Sequence, residues 1–259
     1  MVKGLYTAYT GMINEQNRMD IMTNNLANAS TVGYKKEGST SQSFDDVLTV
    51  KIKDQSVGMR NVQRLGVKNP GVKIGENYTD YSQGSFRITG NTYDLALSGD
   101  GFFAIEFTNK AGETDTKYTR AGQFTLNKDG YLVTEEGDYV LDTQNRRIRL
   151  NTLIDSSITD DGTIYQNGQA VAKIQVTDFE DYDYLEKYGE TYYQPIQGAK
   201  TIAAKAQVKS GYLEMANVQI VSEMVNLISI TRAYESNQKV VQTIDDTLDV
   251  AVNQIGRVQ

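Results

Sequence analysis

Residues 220–255 read IVSEMVNLISITRAYESNQKVVQTIDDTLDVAVNQI, and an apolar side chain returns at every seventh position: Ile220, Leu227, Tyr234, Val241, Leu248 and Ile255. A straight helix of 3.6 residues per turn drifts off such a repeat, so a repeat held this long predicts helices that wind around each other. A companion row three positions on, Ile230, Ile244, Ala251 and Val258, is broken by Glu223 and Asn237. The start of the chain repeats the pattern with Leu5, Met12, Met19 and Leu26, seconded by Ala8, Glu15, Met22 and Ala29. Matching seams at both ends predict termini that pair and carry the middle as an insertion. That layout suits a subunit that assembles more than it suits an enzyme.

The N-terminal helix is expected over residues 4 to about 30. Asn28-Ala29-Ser30-Thr31-Val32-Gly33 ends it, because Asn and Ser compete for backbone hydrogen bonds and Gly33 can take a positive φ. The C-terminal helix is expected to open at Asn217, as N-cap, and to run to about Gly256. At 1.5 Å per residue the two span about 39 and 58 Å, so part of the second seam needs a partner from outside the chain. Two helices along one seam also leave Ile21, Val225, Ile228 and Val240 poorly covered.

Between the ends the period changes to two, and Asp100-Gly101, Asp129-Gly130, Asp161-Gly162 and Asn167-Gly168 supply the dipeptides that tight hairpins select. The expected fold is therefore α+β, with N- and C-terminal helices forming a coiled coil around an inserted all-β domain. The boundaries read as 1–35 for the first helix, 36–73 for an irregular connection in which Phe44 to Ile52 could form a short element and Asn69-Pro70-Gly71 a turn, 74–208 for the β-rich domain, and 209–259 for the last helix.

Composition narrows the function. The chain has 259 residues, 39% apolar, with no Cys, His or Trp. Without His and Cys, every Ser-His-Asp, Cys-His or His-containing zinc arrangement is excluded. A net charge of -7, with Lys and Arg scattered, argues against nucleic acid. The dense cluster Arg146-Arg147-Ile148-Arg149 reads as a solvated strand face. Mean hydropathy is -0.48, and no apolar run reaches the roughly 18 residues of a spanning helix, so no membrane insertion is expected. The first residues lack the apolar stretch of a cleaved secretory signal, so any export is expected to cut nothing off.

Three strings imitate known sites. Gly99-Asp100-Gly101-Phe102-Phe103-Ala104 fits a dinucleotide pattern, but that pattern needs a helix after the glycines and the sequence continues as strand. Thr125 to Glu136 nearly matches a calcium loop, but Thr125 stands where the first carboxylate belongs, so an Asp129-Gly130 hairpin is the better reading. The stretch from Asp178 to Tyr193 holds Tyr182, Tyr184, Tyr188, Tyr192 and Tyr193 among six carboxylates. It reads as an exposed loop or as a contact with a neighbouring subunit. A glycosidase using Asp94 and Asp100 is the enzymatic alternative, weakened by the absence of Trp platforms. A cytosolic coiled-coil adaptor is the other.

Leu5-Tyr6-Thr7-Ala8, Thr10-Gly11-Met12, and the run Asn24, Asn25, Leu26, Ala27, Asn28 through Thr31, Val32, Gly33, Tyr34 and Lys35 resemble the N-terminal signature of the bacterial flagellar rod and hook family. So do Asp94-Leu95-Ala96-Leu97, Gly99 to Phe103, Tyr118-Thr119-Arg120-Ala121-Gly122 and Phe124 in the middle. Gly211-Tyr212-Leu213-Glu214, Asn217-Val218, Glu223-Met224-Val225, Ile228 and Arg232-Ala233-Tyr234-Glu235 resemble its C-terminal signature. Met215-Ala216 and Gln219 depart from the family pattern. Length and the β signature lie nearest the distal rod subunit, with the proximal rod and hook paralogues next.

The resemblance implies self-assembly into a helical tube that joins motor to hook, terminal helices inside and β domain outside. It implies contact with other rod and hook proteins and passage through the flagellar export apparatus. It places the protein in the basal body, outside the cytoplasmic membrane, with no cofactor and no catalysis. On this reading the Asn cluster Asn24, Asn25 and Asn28 serves contacts between subunits or merely marks a fraying helix end.

Overall fold

The computed structural model describes residues 2–52, 62–109 and 112–255. The chain divides into two compact units, one of Met1–Leu26, Glu37–Asp80 and Ile220–Gln259, the other of Ala27–Lys36 and Tyr81–Gln219.

The first unit holds α1 (Val2–Ala27) and α2 (Ile220–Val250), the latter followed by a single π turn, Ala251–Ile255. The two helices are in contact. Their direction is set by two glycines of α1: a Cβ on Gly4 would lie 3.6 Å from Ile244 Cδ1, and one on Gly11 would lie 3.0 Å from Asn237 Nδ2. Seven residues forward on one helix match seven back on the other, so the pair is antiparallel. Lengths of about 39 and 47 Å follow from 26 and 31 residues. Asn217 does not cap α2, which opens three residues later. Its Oδ1 instead accepts from Lys36 N at 2.7 Å, and its Nδ2 donates to Ser82 O at 3.2 Å.

Residues 36–73, expected to be irregular apart from a short element over Phe44 to Ile52, carry strands, one of them within that element. β1 (Glu37–Ser43) pairs with β4 (Val72–Thr79), and β2 (Val47–Ile52) with β3 (Val62–Lys68), both antiparallel. Two features hid β1 and β3. A two-stranded ribbon buries too little on either side to demand alternating apolar residues, as the polar β1 sequence EGSTSQS shows. Each ribbon also slips register once, between Ser39 and Ser41 and between Thr49 and Val50, which breaks period two. The Asn69–Gly71 turn is present: Gly71 N donates to Asn69 Oδ1 at 2.9 Å, and Gly71 takes φ 145.

The second unit is β-rich. In chain order it contains β5 (Phe86–Ile88), β6 (Leu95–Ser98), β7 (Phe102–Thr108), β8 (Thr114–Thr119), β9 (Phe124–Leu126), β10 (Leu132–Thr134) and β11 (Tyr139–Val140). It continues with β12 (Ser156–Ile158), β13 (Thr163–Gln166), β14 (Gln169–Lys173), β15 (Val176–Phe179), β16 (Leu185–Tyr188), β17 (Tyr192–Pro195), β18 (Thr201–Ala203), β19 (Gln207–Ser210) and β20 (Tyr212–Glu214). The main sheet runs β16-β17-β8-β7-β11-β10-β9, with β15 also beside β7 and β18 beyond β15. A small sheet β12-β13-β14 and the pairs β6-β19 and β5-β20 complete it.

β7 lies at the centre and is buried on both faces, which is why its sequence FFAIEFT opens as an unbroken apolar run. Phe102 and Ala104 join one core cluster with Tyr118, Phe179 and Tyr193, and Phe103 joins another with Leu95, Phe124, Leu132, Ile164 and Val208. Each phenylalanine, leucine, isoleucine or valine among them contributes about 1.5–3 kcal/mol by leaving water.

Three of the four expected hairpin dipeptides turn hairpins. Asp129-Gly130 joins β9 to β10, Asp161-Gly162 joins β12 to β13, and Asn167-Gly168 joins β13 to β14 with φ 52 and 76, as a two-residue turn with both central residues at positive φ requires. The fourth, Asp100-Gly101, links β6 to β7, which do not pair. Its glycine is needed for room, since a Cβ there would lie 2.9 Å from Ala204 Cβ.

Candidate assembly site

The seven-spaced side chains were expected to form a seam between the two helices. Leu5, Met12, Met19 and Leu26 on α1 and Leu227, Tyr234, Val241 and Leu248 on α2 are each half-buried. Ile220 departs from the row and is 49% exposed, while the Ile255 side chain and Val258 lie outside the described residues. On α2 the companion row goes deeper than the seam, with Glu223 and Ile230 fully buried. The opposite face of α2 presents Val221, Met224, Val225 and Ile228 at 76, 49, 60 and 51% exposure. Their i, i+3, i+4, i+7 spacing makes one stripe. On α1, Tyr6, Tyr9 and Ile13 form a similar exposed stripe. Val240 is exposed as expected, whereas Ile21 is half-buried.

A second face of α1 is polar, with Thr10, Asn14 and Asn25 buried and Thr7 exposed, and was not legible from apolar periodicity. Thr7 Oγ1 donates to Pro70 O at 3.0 Å, Asn14 Nδ2 to Ser41 Oγ at 3.0 Å, and Asn25 Nδ2 to Glu37 O at 2.8 Å, with Glu37 N returning to Asn25 Oδ1 at 2.9 Å. Residues 7, 14 and 25 fall on one side of a helix, so polar periodicity is the signal that could have found this face. Gly71 comes so close that a Cβ there would collide with Thr10 Oγ1. The Asn cluster is thereby divided. Asn25 and Asn28 are buried within the chain, the latter accepting from Thr31 Oγ1 at 3.1 Å, and only Asn24 is exposed.

Within the β-rich unit, the three stretches that carry the family signature meet at one point. Gly33, at φ 71, donates its N–H to Glu214 O at 2.8 Å, and a Cβ on it would overlap the backbone of Arg120 and Ala121. The Glu214 carboxylate accepts from Lys35 Nζ at 2.8 Å, Gly84 N at 2.9 Å and Arg120 at 3.4 Å. Lys35 also donates to Ser82 O at 2.7 Å, and Arg120 to Gly99 O at 2.9 Å. Lys35, Glu214 and Arg120 are 1, 0 and 2% exposed. Charges so deep are costly unless paired and hydrogen-bonded, and here they are paired, with Arg120 Nε buried without a hydrogen bond. Tyr34 is fully buried beside them, with Lys187 Nζ 4.2 Å from its ring centroid. Sequence reading flagged Gly33 and Tyr34 and missed the ion cluster, because residues 35, 120 and 214 are too far apart in the chain to declare a pairing.

The arginine cluster is engaged internally: Arg147 forks onto Glu106 at 2.6 and 3.1 Å, Arg149 Nε donates to Asp129 O, and Arg146 lies 3.6 Å from Asp142. The Glu106 pair holds that carboxyl below the usual range. Residues 127–131 form the expected hairpin, with Asn127 Oδ1 accepting from Asp129 N and Tyr131 N. Gly99-Asp100-Gly101 opens strand β7 and no helix. Asp94 is buried and accepts from Asn91 Nδ2, whereas Asp100 is exposed. Of the five tyrosines only Tyr184 and Tyr188 are exposed. Tyr182 donates to Asp178 and Tyr192 to Asp138, both at 2.8 Å. Burial and those carboxylates push both phenols far above the ordinary tyrosine range. Among the described residues no helix is long and apolar enough to cross a membrane.

Terminal helices in contact with each other and a β-rich unit between them in chain order define an α+β protein. The chain belongs to the flagellar basal-body rod and hook family, whose members are structural and not enzymes. Residues 5–35 match "Flagella basal body rod protein", 96–168 "Flagellar hook protein FlgE/F/G D1 domain", and 209–255 "Flagellar basal body rod FlgEFG protein C-terminal". Similar proteins include the flagellar basal-body rod protein FlgG of Bacillus subtilis, 34% identical over 98% of this chain and 99% of its own length. The FlgF rod protein of Caulobacter vibrioides is 32% identical over the whole of both chains. The flagellar hook-basal body complex protein FlhO of Bacillus subtilis is 30% identical, again over both whole chains.

Proposed function

We propose that this protein is a distal rod subunit that polymerises into a helical tube and transmits torque from motor to hook. On this reading it lies outside the cytoplasmic membrane, meets other rod and hook proteins end to end, and leaves the cell through the flagellar export apparatus. The observation that carries the proposal is the outward stripe Val221, Met224, Val225 and Ile228 on a helix whose other face is already occupied. Apolar side chains repeated at helical spacing on an otherwise polar surface mark a place where another chain packs. The seven-spaced rows supply the inner seam, and the tube adds neighbours that cover what two helices leave open. Order in the ends is then completed by assembly, because a helix of 26 residues draws most of its stability from packing.

The test is tube formation by concentrated protein in electron micrographs, together with motility of a strain that relies on the variant. Leu227→Asp should abolish both by placing a carboxylate in the seam. Val225→Asp should abolish both while leaving the monomer intact, since that side chain is already in water. Normal tubes from Val225→Asp would remove the outward stripe from the assembly. A stable free dimer with no tubes would favour the adaptor.

A further inference from the structure

We infer that Asn237 and Gly11 together fix the register of the antiparallel helix pair. The inference rests on the contact between α1 and α2 and not on polymerisation. A seven-residue repeat does not by itself define one alignment. Sliding α2 by seven residues, about 10.5 Å, carries each seam residue onto the site of the next and keeps apolar against apolar. Something must distinguish the rungs.

Two irregularities face each other at one rung. Gly11 stands in the interior of α1, where glycine is the poorest helix former after proline. Asn237 interrupts the row Ile230, Ile244 and Ala251 on α2. A Cβ on Gly11 would lie 3.0, 3.5 and 3.6 Å from the Nδ2, Cγ and Oδ1 of Asn237, so the whole amide sits in the notch that the missing side chain leaves. At Gly4, one heptad earlier, the equivalent clearance to Ile244 is an ordinary 3.6 Å.

Sliding by one heptad would bring Ile244 or Ile230, with their branched Cβ, to the notch that the planar amide fills. It would also carry the amide away from the backbone that Gly11 leaves uncovered and set it against Arg18 or Gly4. A single polar residue at a packed seam position is a known means of choosing one alignment among several, and here it has a matching recess. Asn237 is thus a positioning residue, and Gly11 is its receptor.

The chain has no cysteine, so paired thiols can report the alignment without background. Gly4→Cys with Ile244→Cys reports the native rung, and Gly4→Cys with Ala251→Cys reports a slide of one heptad. Each pair is treated with a bimane reagent that joins only adjacent thiols, and intramolecular product is separated from dimer by gel mobility. With Asn237 in place, the native pair should cross-link and the slid pair should not. Adding Asn237→Leu should let the slid pair cross-link, raising its yield at least several-fold, while helix content by circular dichroism stays level or rises. The inference is overturned if the slid pair stays silent with Asn237→Leu, if it already cross-links with Asn237 present, or if neither pair cross-links at all.

Discussion

The β-rich unit closes on itself, and the helical unit does not. In the former, strands buried on both faces feed two apolar clusters, and the Glu214 carboxylate is held by hydrogen bonds from Lys35, Gly84 and Arg120 of the same unit. On the helices, Ala8 and Ile230 are the only fully buried apolar side chains among the described residues, while Thr10, Asn14, Asn25 and Glu223 are buried polar ones. Tyr6, Tyr9, Val221 and Val225 meanwhile remain in water. The β-rich unit therefore carries its stability as a finished object. The helical unit is fixed by polar contacts that specify position and leaves much of its apolar surface exposed.

The sharpest way to break that contrast is to damage the finished object at its deepest point. Glu214→Ala would leave Lys35 and Arg120 buried without their carboxylate, and removing one partner of a buried ion pair costs about 3–5 kcal/mol. The thermal transition of the β-rich unit should drop by many degrees, and Glu214→Gln should recover only part of the loss. An unchanged transition in Glu214→Ala would mean that the cluster does not hold the three signature stretches together.

Hydrogen exchange on dilute protein sharpens the same comparison. Amides of β7, β8 and β10 should exchange only through global opening, whereas those of α1 and α2 should exchange through local opening of much lower free energy. Equal protection in both would refute the idea that the helices await neighbours.

How much of this was legible in the sequence follows the same division. The helices announced themselves because burying one face of a helix imposes a period, and the hairpins did so because Asn167-Gly168 and its like are the residues that positive φ selects. Strand β1 was silent: its sequence is polar, its pairing with β4 is bulged, and it bonds to Asn14 and Asn25 of α1, which leave no apolar trace. The Lys35–Glu214–Arg120 cluster was silent for another reason. Each residue alone is an ordinary charged position, and only the fold brings the three together. The signature stretches around them could be quoted from the sequence, but their meeting point could not.

Titration gives a smaller effect confined to the β-rich unit. Desolvation lowers the pKa of Lys117, whose Nζ lies 2.7 Å from the Tyr188 ring centroid and 4.2 Å from that of Phe107, with Asp115 and Asp138 opposing only in part. In the window between its lowered value and the unfolded value near 10.5, the unfolded chain binds the extra proton, so stability should rise with pH there. Burial raises Tyr118, Tyr182 and Tyr192, so above pH of about 10 the unfolded chain loses protons that the folded one keeps, and stability should fall. Denaturant midpoints across the alkaline range should therefore pass through a maximum, and Lys117→Met should abolish the rising limb while leaving the falling one. A rising limb that survives Lys117→Met would assign it to another group.

The smallest effect separates the two glycines of α1. Replacing a helical glycine with alanine gains up to about 1 kcal/mol in helix propensity, less in the first turn, if the added methyl finds room. At Gly4 it does, because the nearest atom, Ile244 Cδ1, would be 3.6 Å away. Gly4→Ala should therefore leave helix content and pairing unchanged or slightly improved. At Gly11 the methyl would meet Asn237 Nδ2 at 3.0 Å, closer than a relaxed contact allows, so either the amide turns out of its recess or the helices part by a few tenths of an ångström. Gly11→Ala should gain the same propensity and lose it again in packing, giving a helical unit no more stable than the parent despite a better helix former. Asn237→Ala added to Gly11→Ala removes the obstruction and should release the gain, so the double variant should exceed the sum of the two single changes. Far-UV circular dichroism of the four proteins at one high concentration, read as a double-mutant cycle, measures that difference. Strict additivity would show that Gly11 is merely a weak point in α1, and that the notch has no part in holding the two helices in place.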